Sequence, residues 1–252
     1  MLSIQNLTVN HGTLTALSDV SVSIQAGQWL MIAGANGAGK STFVHAIAQS
    51  VPYQGVIRYQ RRDLKTMRPN EIAREIAFLS QRHQVNYAFT VEEVVTLGRF
   101  AHRQGFFSAT DSQGERKVHA ALEMTGMLAL KDQSMLTLSG GEVQRTFLAQ
   151  VFAQDPNLII LDEPTNHLDL KYQKQTFELI QEWITQPNRA AVSVVHDIGM
   201  ARAFGTHAML LERGKMIAYG DNRTVLSRNN LMNAYGMDVE GWMRTILAQW
   251  EA

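Results

Sequence analysis

The chain contains no cysteine. Disulfides and thiolate metal sites are therefore excluded, and the composition fits a reducing compartment. It also lacks an excess of either charge: Lys plus Arg and Asp plus Glu both number 23, for a formal net charge of zero. No global electrostatic bias favours nucleic acid, although a local basic patch is compatible with that balance. Long apolar runs are missing too. The charge-free stretch from Val20 to Gly39 is interrupted by Gln25, Gly27, Gln28, Gly34 and Asn36, which argues against a membrane span. No Lys or Arg precedes Lys40, so a secretory signal with a basic leading region is not expected. Internal repeats and low-complexity linkers are absent. What is present is 252 residues, 45% hydrophobic and 18% charged. That suits one large α/β domain, or a domain with a subdomain, with ample apolar surface for a core.

The chain is organised around GANGAGKST, Gly34 to Thr42. It has four free residues between a glycine and Gly-Lys-Ser, follows an apolar run from Trp29 to Ala33 that reads as a buried strand, and opens a helical stretch towards Val51. That context is what a phosphate-binding loop requires. Gly34, Gly37 and Gly39 permit a tight loop whose backbone N–H groups point at phosphate oxygens, and the helix N-terminus adds partial positive charge. Lys40 would reach the β- and γ-phosphates, and the Ser41 hydroxyl would join Mg²⁺. The alternative is a glycine-rich strand-to-helix turn that binds nothing.

Upstream, Val20 to Ile24 alternates with Ser21 and Ser23, and Ala26-Gly27 supplies a turn. Two early strands lead into the loop, with His11-Gly12 and then Thr13 to Leu17 between them. Pro52 and Gly55 end the first helix, and Val56 to Tyr59 and Ile76 to Leu79 read as strands, the latter ending at Ser80-Gln81. Thr90 to Glu93 forms a capping box that starts a helix through Val91, Val94, Val95 and Leu97. A further helix begins near Asp111, runs through Val118, Ala121, Leu122 and Met124, and stops at Gly126. Strands resume at Leu158 to Asp162, Ala190 to Val195 and Ala208 to Glu212, with helices between them. Such alternation predicts βαβ units in a parallel sheet with ligands at the carboxyl ends of the strands, where Gly34 and Asp162 both fall. A helical tail carries Trp242 and Trp250.

Two further stretches carry chemistry. Four apolar residues run into Asp162-Glu163, so a buried strand delivers one carboxylate to a metal, through water, and another to an attacking water as general base. Capping of the turn at Pro164 is the plainer role. At Leu138 to Glu142, two glycines open a helix from Gly140 to Ala153 and offer a second anion-binding end. Ser139 and Glu142 also make a capping box, a purely structural use. One way to reconcile two phosphate-binding helix ends is a head-to-tail dimer sharing each nucleotide.

Taken in order, GANGAGKST, Gln81 after IAFLS, LSGGE with Gln144 and Arg145, LIILDEP, NHLD from Asn166 to Asp169, and His196 make the chain resemble, from end to end, the nucleotide-binding subunit of an ABC transporter. The resemblance implies an α/β P-loop NTPase (RecA-like) core with an N-terminal antiparallel β subdomain and an inserted α-helical subdomain. The core would be residues 1–81 and 154–235, the helical subdomain 82–153 and the tail 236–252. It implies ATP and Mg²⁺ as cofactors. Phosphate-loop residues Gly34, Asn36, Gly37, Ala38, Gly39, Lys40, Ser41 and Thr42 would hold the nucleotide, together with Ser139, Gly140, Gly141, Gln144 and Asp169, the last crossing the dimer interface. Ser41, Asp162 and Gln81 would attend the metal. Glu163 would be the base, Gln81 the contact to Mg²⁺, water and the membrane partner, and His196 the contact to the γ-phosphate. Where the family usually stacks a tyrosine on adenine, this chain has His11-Gly12, and imidazole is a smaller platform.

Leu97-Gly-Arg-Phe-Ala-His102 and Thr165-Asn-His-Leu-Asp-Leu170 resemble subunits of importers for iron-siderophores, haem and vitamin B12, although those relatives usually have proline where Ala101 stands. Lys131 to Thr137 lacks the acidic-glycine stretch expected of many exporters. The resemblance implies an ATPase homodimer on the cytoplasmic face of the plasma membrane, bound to polytopic permease subunits and served indirectly by a substrate-binding protein, with no nucleic acid. Phe100, Phe106 and Phe107 either receive a membrane-domain helix or pack within the subdomain. The competing expectation is a soluble ATPase of the same superfamily acting on ribosomes or DNA. Its relatives usually carry two cassettes or a long coiled-coil insertion, which this chain lacks. A P-loop kinase would leave LSGGE without a role.

Overall fold

The computed structural model describes residues 1–81, 88–102, 113–166 and 168–250. Strands β1 (Leu2–His11), β2 (Leu14–Ile24) and β3 (Trp29–Ala33) lead into α1 (Lys40–Ile47). Then come β4 (Gln54–Tyr59), β5 (Arg62–Asp63), α2 (Pro69–Glu75) and β6 (Ile76–Leu79). Three helices follow, α3 (Val91–Leu97), α4 (Gly114–Met124) and α5 (Gly140–Ala153), and then β7 (Leu158–Asp162), α6 (Leu170–Ile184) and β8 (Ala190–Val194). The remainder is α7 (Ile198–Phe204), β9 (His207–Glu212), β10 (Lys215–Asp221), α8 (Asn222–Val225), α9 (Arg228–Tyr235) and α10 (Val239–Ala248). Contacts divide the chain into two compact units: Met1–Lys65 with Val192–Ala252, and Thr66–Ala191. Among the described residues no helix is long and apolar enough to cross a membrane.

The first unit contains an antiparallel sheet in the order β2-β1-β4-β5. Alternation drives it: Val20, Val22 and Ile24 are buried between exposed Ser21 and Ser23, as a sheet with one wet face demands. The strand extends back to Leu14, past a place where alternation fails. Asn6 and Asp19 sit there in the left-handed region, with φ 51° and 54°, and the Asn6 amide donates to Asp19 at 2.7 Å. The register shifts around this point, so a β-bulge hides the continuous strand from a simple period-two reading.

In the same unit β3 pairs in parallel with β9, and β9 pairs antiparallel with β10. All five residues of β3 are buried, the mark of a parallel strand covered on both faces. Trp29 satisfies its indole N–H on Ser193 Oγ at 2.8 Å, so a large core ring leaves no buried donor orphaned. Helix α1 ends at Ile47, short of Val51, because Gln49 turns left-handed at φ 58°.

In the second unit β6 and β7 pair in parallel, Ile76 opposite Leu158 through Leu79 opposite Leu161. Helices α3, α4 and α5 pack on one another, and α5 also lies on β6. The Thr90 capping box forms with both bonds, Glu93 N–H to Thr90 Oγ1 at 3.2 Å and Thr90 N–H to Glu93 Oε2 at 2.7 Å. Gly98, just past α3, lets the chain approach α5 closely: a Cβ there would stand 2.3 Å from the Gln150 carbonyl oxygen. The helix expected from near Asp111 begins at Gly114, and Asp111 itself lies outside the described residues.

Candidate functional site

The residues expected to carry chemistry fall into two groups, one in each unit. In the first unit the loop between β3 and α1 is shaped by its glycines. Gly34 has φ 144°, and a Cβ on it would collide with the Leu211 carbonyl oxygen at 2.2 Å. Gly39 has φ 100°, and a Cβ there would stand 2.6 Å from the Ala16 carbonyl oxygen. No other residue type fits either position without moving backbone. Gly37 is left-handed at φ 76° over open space, a conformational rather than a steric requirement.

Lys40 is buried at the helix start, and its ammonium donates to the Gly34 and Ala35 carbonyl oxygens at 2.8 and 3.1 Å. Backbone carbonyl dipoles thus hold the charge over the loop. Asn36 and Gly37 are exposed at the loop tip, Ala38 is buried, and Ser41 and Thr42 are half-buried in the first turn of α1. Gly34 is tied from behind as well: its N–H donates to Tyr235 Oη in α9 at 3.0 Å. His11 is exposed where β1 ends, and His196 is exposed two residues past β8.

In the second unit β7 carries Asp162 to its carboxyl end with 1% of its surface exposed. The next residue, Glu163, is 8% exposed and sits in the left-handed region at φ 55°. Glutamate rarely adopts that conformation, and a surrounding network has to hold it there. The network is visible. Glu163 Oε2 accepts from the Gln81 amide at 2.7 Å and from the Asn166 amide. Two of the expected residues, Gln81 and Glu163, are thereby brought together at the ends of adjacent parallel strands.

Asn166 is a partner of Glu163 that sequence reading left without a role. Its signal was available, as an amide three residues after the glutamate on a turn bounded by Pro164. Its neighbour His167 lies outside the described residues.

The helix α5 begins as expected, but Ser139 is engaged locally. Its hydroxyl and N–H both donate to Glu142 Oε2 at 2.8 Å, and Glu142 N–H returns a bond to Ser139 Oγ. The backbone and hydroxyl bonds from Ser139 hold the Glu142 carboxyl below its ordinary range. Ser139 and Gly140 are exposed and Gly141 half-buried, so the helix end is open to a ligand while its capping box is intact.

Gln144, expected beside the nucleotide, is instead turned inward. It is 4% exposed, and its amide donates to the Pro164 carbonyl at 3.0 Å. Its position one turn into the helix faces the core, so it braces the turn that follows Glu163. Arg145 is also buried, with its guanidinium 3.6 Å from the centroid of the Tyr172 ring in α6. Asp169 caps α6 by accepting from the Tyr172 N–H at 2.9 Å.

Among the described residues no cluster of three or more His, Asp or Glu side chains could enclose a metal ion. Mg²⁺ keeps much of its water and takes one or two protein oxygens alongside substrate phosphates. The Ser41 hydroxyl in the first unit and the Asp162 carboxylate in the second are each, taken singly, oxygens of that kind.

Comparison with known proteins gives the family of the chain. The family model described as "ABC transporter" matches residues 17–166. The ferric enterobactin transport ATP-binding protein FepC of Escherichia coli is 32% identical over 234 residues, covering 92% of this chain and 86% of FepC. The hemin import ATP-binding protein HmuV of Pseudomonas entomophila is 36% identical over 246 residues, covering 95% and 94%. Of an uncharacterized Bacillus subtilis relative, YvrA, 34% identical, the chain spans 53% of the length. Among solved structures, the dimeric post-hydrolysis state of the cassette MJ0796 bound to ADP and Pi superposes with a TM-score of 0.78. It is 26% identical and covers 88% of this chain and 99% of that one.

Proposed function

The chain belongs to the ABC transporter family as an ATP-binding subunit, and from that premise we propose that it hydrolyses ATP to drive uptake of an iron-siderophore, haem or cobalamin-type solute through separate permease subunits. The observation that carries the catalytic part is the buried Glu163 carboxylate at the end of β7, held by the amides of Gln81 and Asn166. In this reading Lys40 and the loop N–H groups bind the triphosphate. Ser41, Gln81 and Asp162 would attend Mg²⁺, which would supply charge neutralisation of the phosphates. Glu163 takes a proton from the attacking water, and Gln81 orients that water through the carboxylate they share. His196 contacts the γ-phosphate and His11 the adenine.

The exposed Ser139-Gly140-Gly141 helix end supports the dimer, because an anion-binding N-terminus that is not consumed by its own capping box can serve a nucleotide bound to a second copy. Asp169 would meet that copy. The importer reading rests on the names of the relatives, FepC for ferric enterobactin and HmuV for hemin. A permease surface is supported by Phe89, Leu97 and Phe100, which are 47%, 52% and 67% exposed in the second unit; Phe106 and Phe107 lie outside the described residues. Such apolar exposure marks an interaction site. The protein then sits on the cytoplasmic face of the membrane without crossing it.

The experiment is co-purification from detergent-solubilised membranes combined with ATPase assays. A polytopic partner that stimulates hydrolysis supports the reading. Ribosomes or DNA in its place, with activity indifferent to membranes, overturns it. Growth of a deletion strain on iron chelates, haem or cobalamin as supplements then separates the solutes.

A further inference from the structure

We infer that Tyr235 is a positioning residue for the phosphate loop and that through it the C-terminal helices respond to nucleotide. The inference rests on the proposed binding of ATP at Gly34 to Thr42. The phenol oxygen of Tyr235, in the last turn of α9, accepts from the Gly34 N–H at 3.0 Å. On the other side of the same residue the Gly34 carbonyl accepts from Lys40 Nζ at 2.8 Å. The two peptide planes that meet at Gly34 are therefore fixed from opposite directions, one by a tyrosine at the far end of the chain and one by the phosphate-binding lysine.

Gly34 cannot adjust by itself. It is buried with φ 144°, packed so closely that a Cβ would stand 2.2 Å from the Leu211 carbonyl oxygen in β9. Its N–H has left the β3 ladder, so the tyrosine is what satisfies a backbone donor inside the protein. Burial raises the Tyr235 hydroxyl above its ordinary pKa, and the bond from Gly34 only partly offsets this. The group therefore stays a neutral hydroxyl, able to accept this bond and still carry a proton.

The tail is built to transmit rather than to fray. Gly236 closes α9 in the left-handed region at φ 67°. Two residues later Asp238 accepts from the Arg228 guanidinium and also caps α10 by accepting from the Gly241 N–H at 3.0 Å. Arg228 opens α9 and Asp238 opens α10, so the exposed ion pair bridges the two helix starts on either side of Tyr235. Helix α9 packs on β9 and β10, and β9 supplies the Leu211 carbonyl that confines Gly34. A shift of the loop when phosphate binds moves a bonded partner in α9, and by reciprocity whatever orders α9 favours the phosphate-binding form of the loop.

The test uses the full chain with Tyr235→Phe, which keeps the ring and removes only the hydroxyl, beside Tyr235→Leu, Lys40→Ala and wild type. Loss of one hydrogen bond predicts a rise of about three- to ten-fold in the KM for ATP and in the Kd of a fluorescent ATP analogue. For the phenylalanine variant, kcat should change by less than about two-fold. Hydrogen exchange gives the second readout: Mg-ATP should slow amide exchange across residues 228–235 in wild type and fail to do so in Tyr235→Phe. Wild-type affinity and undiminished protection in Tyr235→Phe would overturn the inference, as would a lowered Tm with unchanged KM, since that leaves the tyrosine as a structural prop. Lys40→Ala keeps the two levels apart: if it binds ATP as wild type does, the nucleotide reading of the loop fails first.

Discussion

The side-chain amide of Gln81 donates to Glu163 Oε2 over 2.7 Å, joining the residue two beyond the end of β6 to the residue one beyond the end of β7. Because β6 and β7 are parallel and in register, side chains leaving their carboxyl ends emerge side by side. If Glu163 is the base, as proposed, a glutamine in contact with it could change its geometry without touching the nucleotide, a mechanical route by which the proposed membrane partner would reach the chemistry.

Removing the base should separate binding from turnover. Glu163→Gln keeps a side-chain oxygen that can still accept from Gln81 and Asn166, so the left-handed turn at φ 55° should survive. Steady-state hydrolysis should fall by about 10²-fold or more, the scale of general-base catalysis, while ATP affinity stays within about two-fold. Sedimentation or size exclusion with Mg-ATP should then reveal a stable dimer. Near-normal turnover would remove Glu163 from the role.

Asn166 shares the same carboxylate oxygen, and its loss should act on rate more than on affinity. Asn166→Ala should lower kcat by about three- to ten-fold, one hydrogen bond's worth, with KM for ATP little changed. Asn166→Asp places a second negative charge against Glu163 and should be worse than alanine. The comparison of these two variants in single-turnover assays distinguishes positioning from simple loss of packing, which would rank them the other way.

How much of this could be read from the sequence depends on how local the cause was. Helix α5 starts and ends where LSGGE and the apolar pattern place it, because its capping box lies within four residues, Ser139 to Glu142. Strand β7 is likewise self-announcing, five apolar or terminal residues all buried. What escaped depends on partners far along the chain. The pairing of Asn6 with Asp19 breaks the alternation of β1 and β2, and β10, with its mixture of exposed and half-buried residues, lacks any clean period. For the candidate residues, the placement of Lys40 at the start of α1 and of Glu163 just past β7 was legible from spacing. The inward turn of Gln144 towards Pro164, and the tie from Gly34 to a tyrosine 201 residues away, belong to tertiary packing and have no sequence signature.

Acid should expose a different part of the second unit. Burial opposes ionisation of Asp155, yet Lys117 at 2.8 Å and Arg189 at 2.7 Å outweigh it and hold the carboxyl below its ordinary range. A carboxylate whose folded pKa is depressed contributes stability above its unfolded pKa and loses that contribution as pH falls through the folded value. Asp155→Asn, which still tolerates the left-handed backbone there, should therefore be less stable than wild type by about 1 kcal/mol at neutral pH. The gap should close below about pH 4. Urea titrations of both proteins across that range measure it, and a constant gap would show that the ion pairs are not its source.

The contact of α3 with α5 leaves no room for a side chain at Gly98. Gly98 has ordinary helical backbone angles, so alanine there should raise local helix propensity. Yet its Cβ would lie 2.3 Å from the Gln150 carbonyl oxygen and 3.1 Å from that of Val95. The nearer obstacle is main chain in the last turn of α5, not a flexible side-chain tip, and relief requires the two elements to part. Gly98→Ala should thus destabilise by about 1 to 3 kcal/mol, the cost of overpacking, despite the gain in propensity. Since α5 also carries Gln144 to the turn behind Glu163, the displacement should reduce kcat before it affects ATP binding. Thermal unfolding and ATP titration on the same preparation check both halves, and a variant as stable as wild type would show that α3 and α5 are not held at this separation in solution.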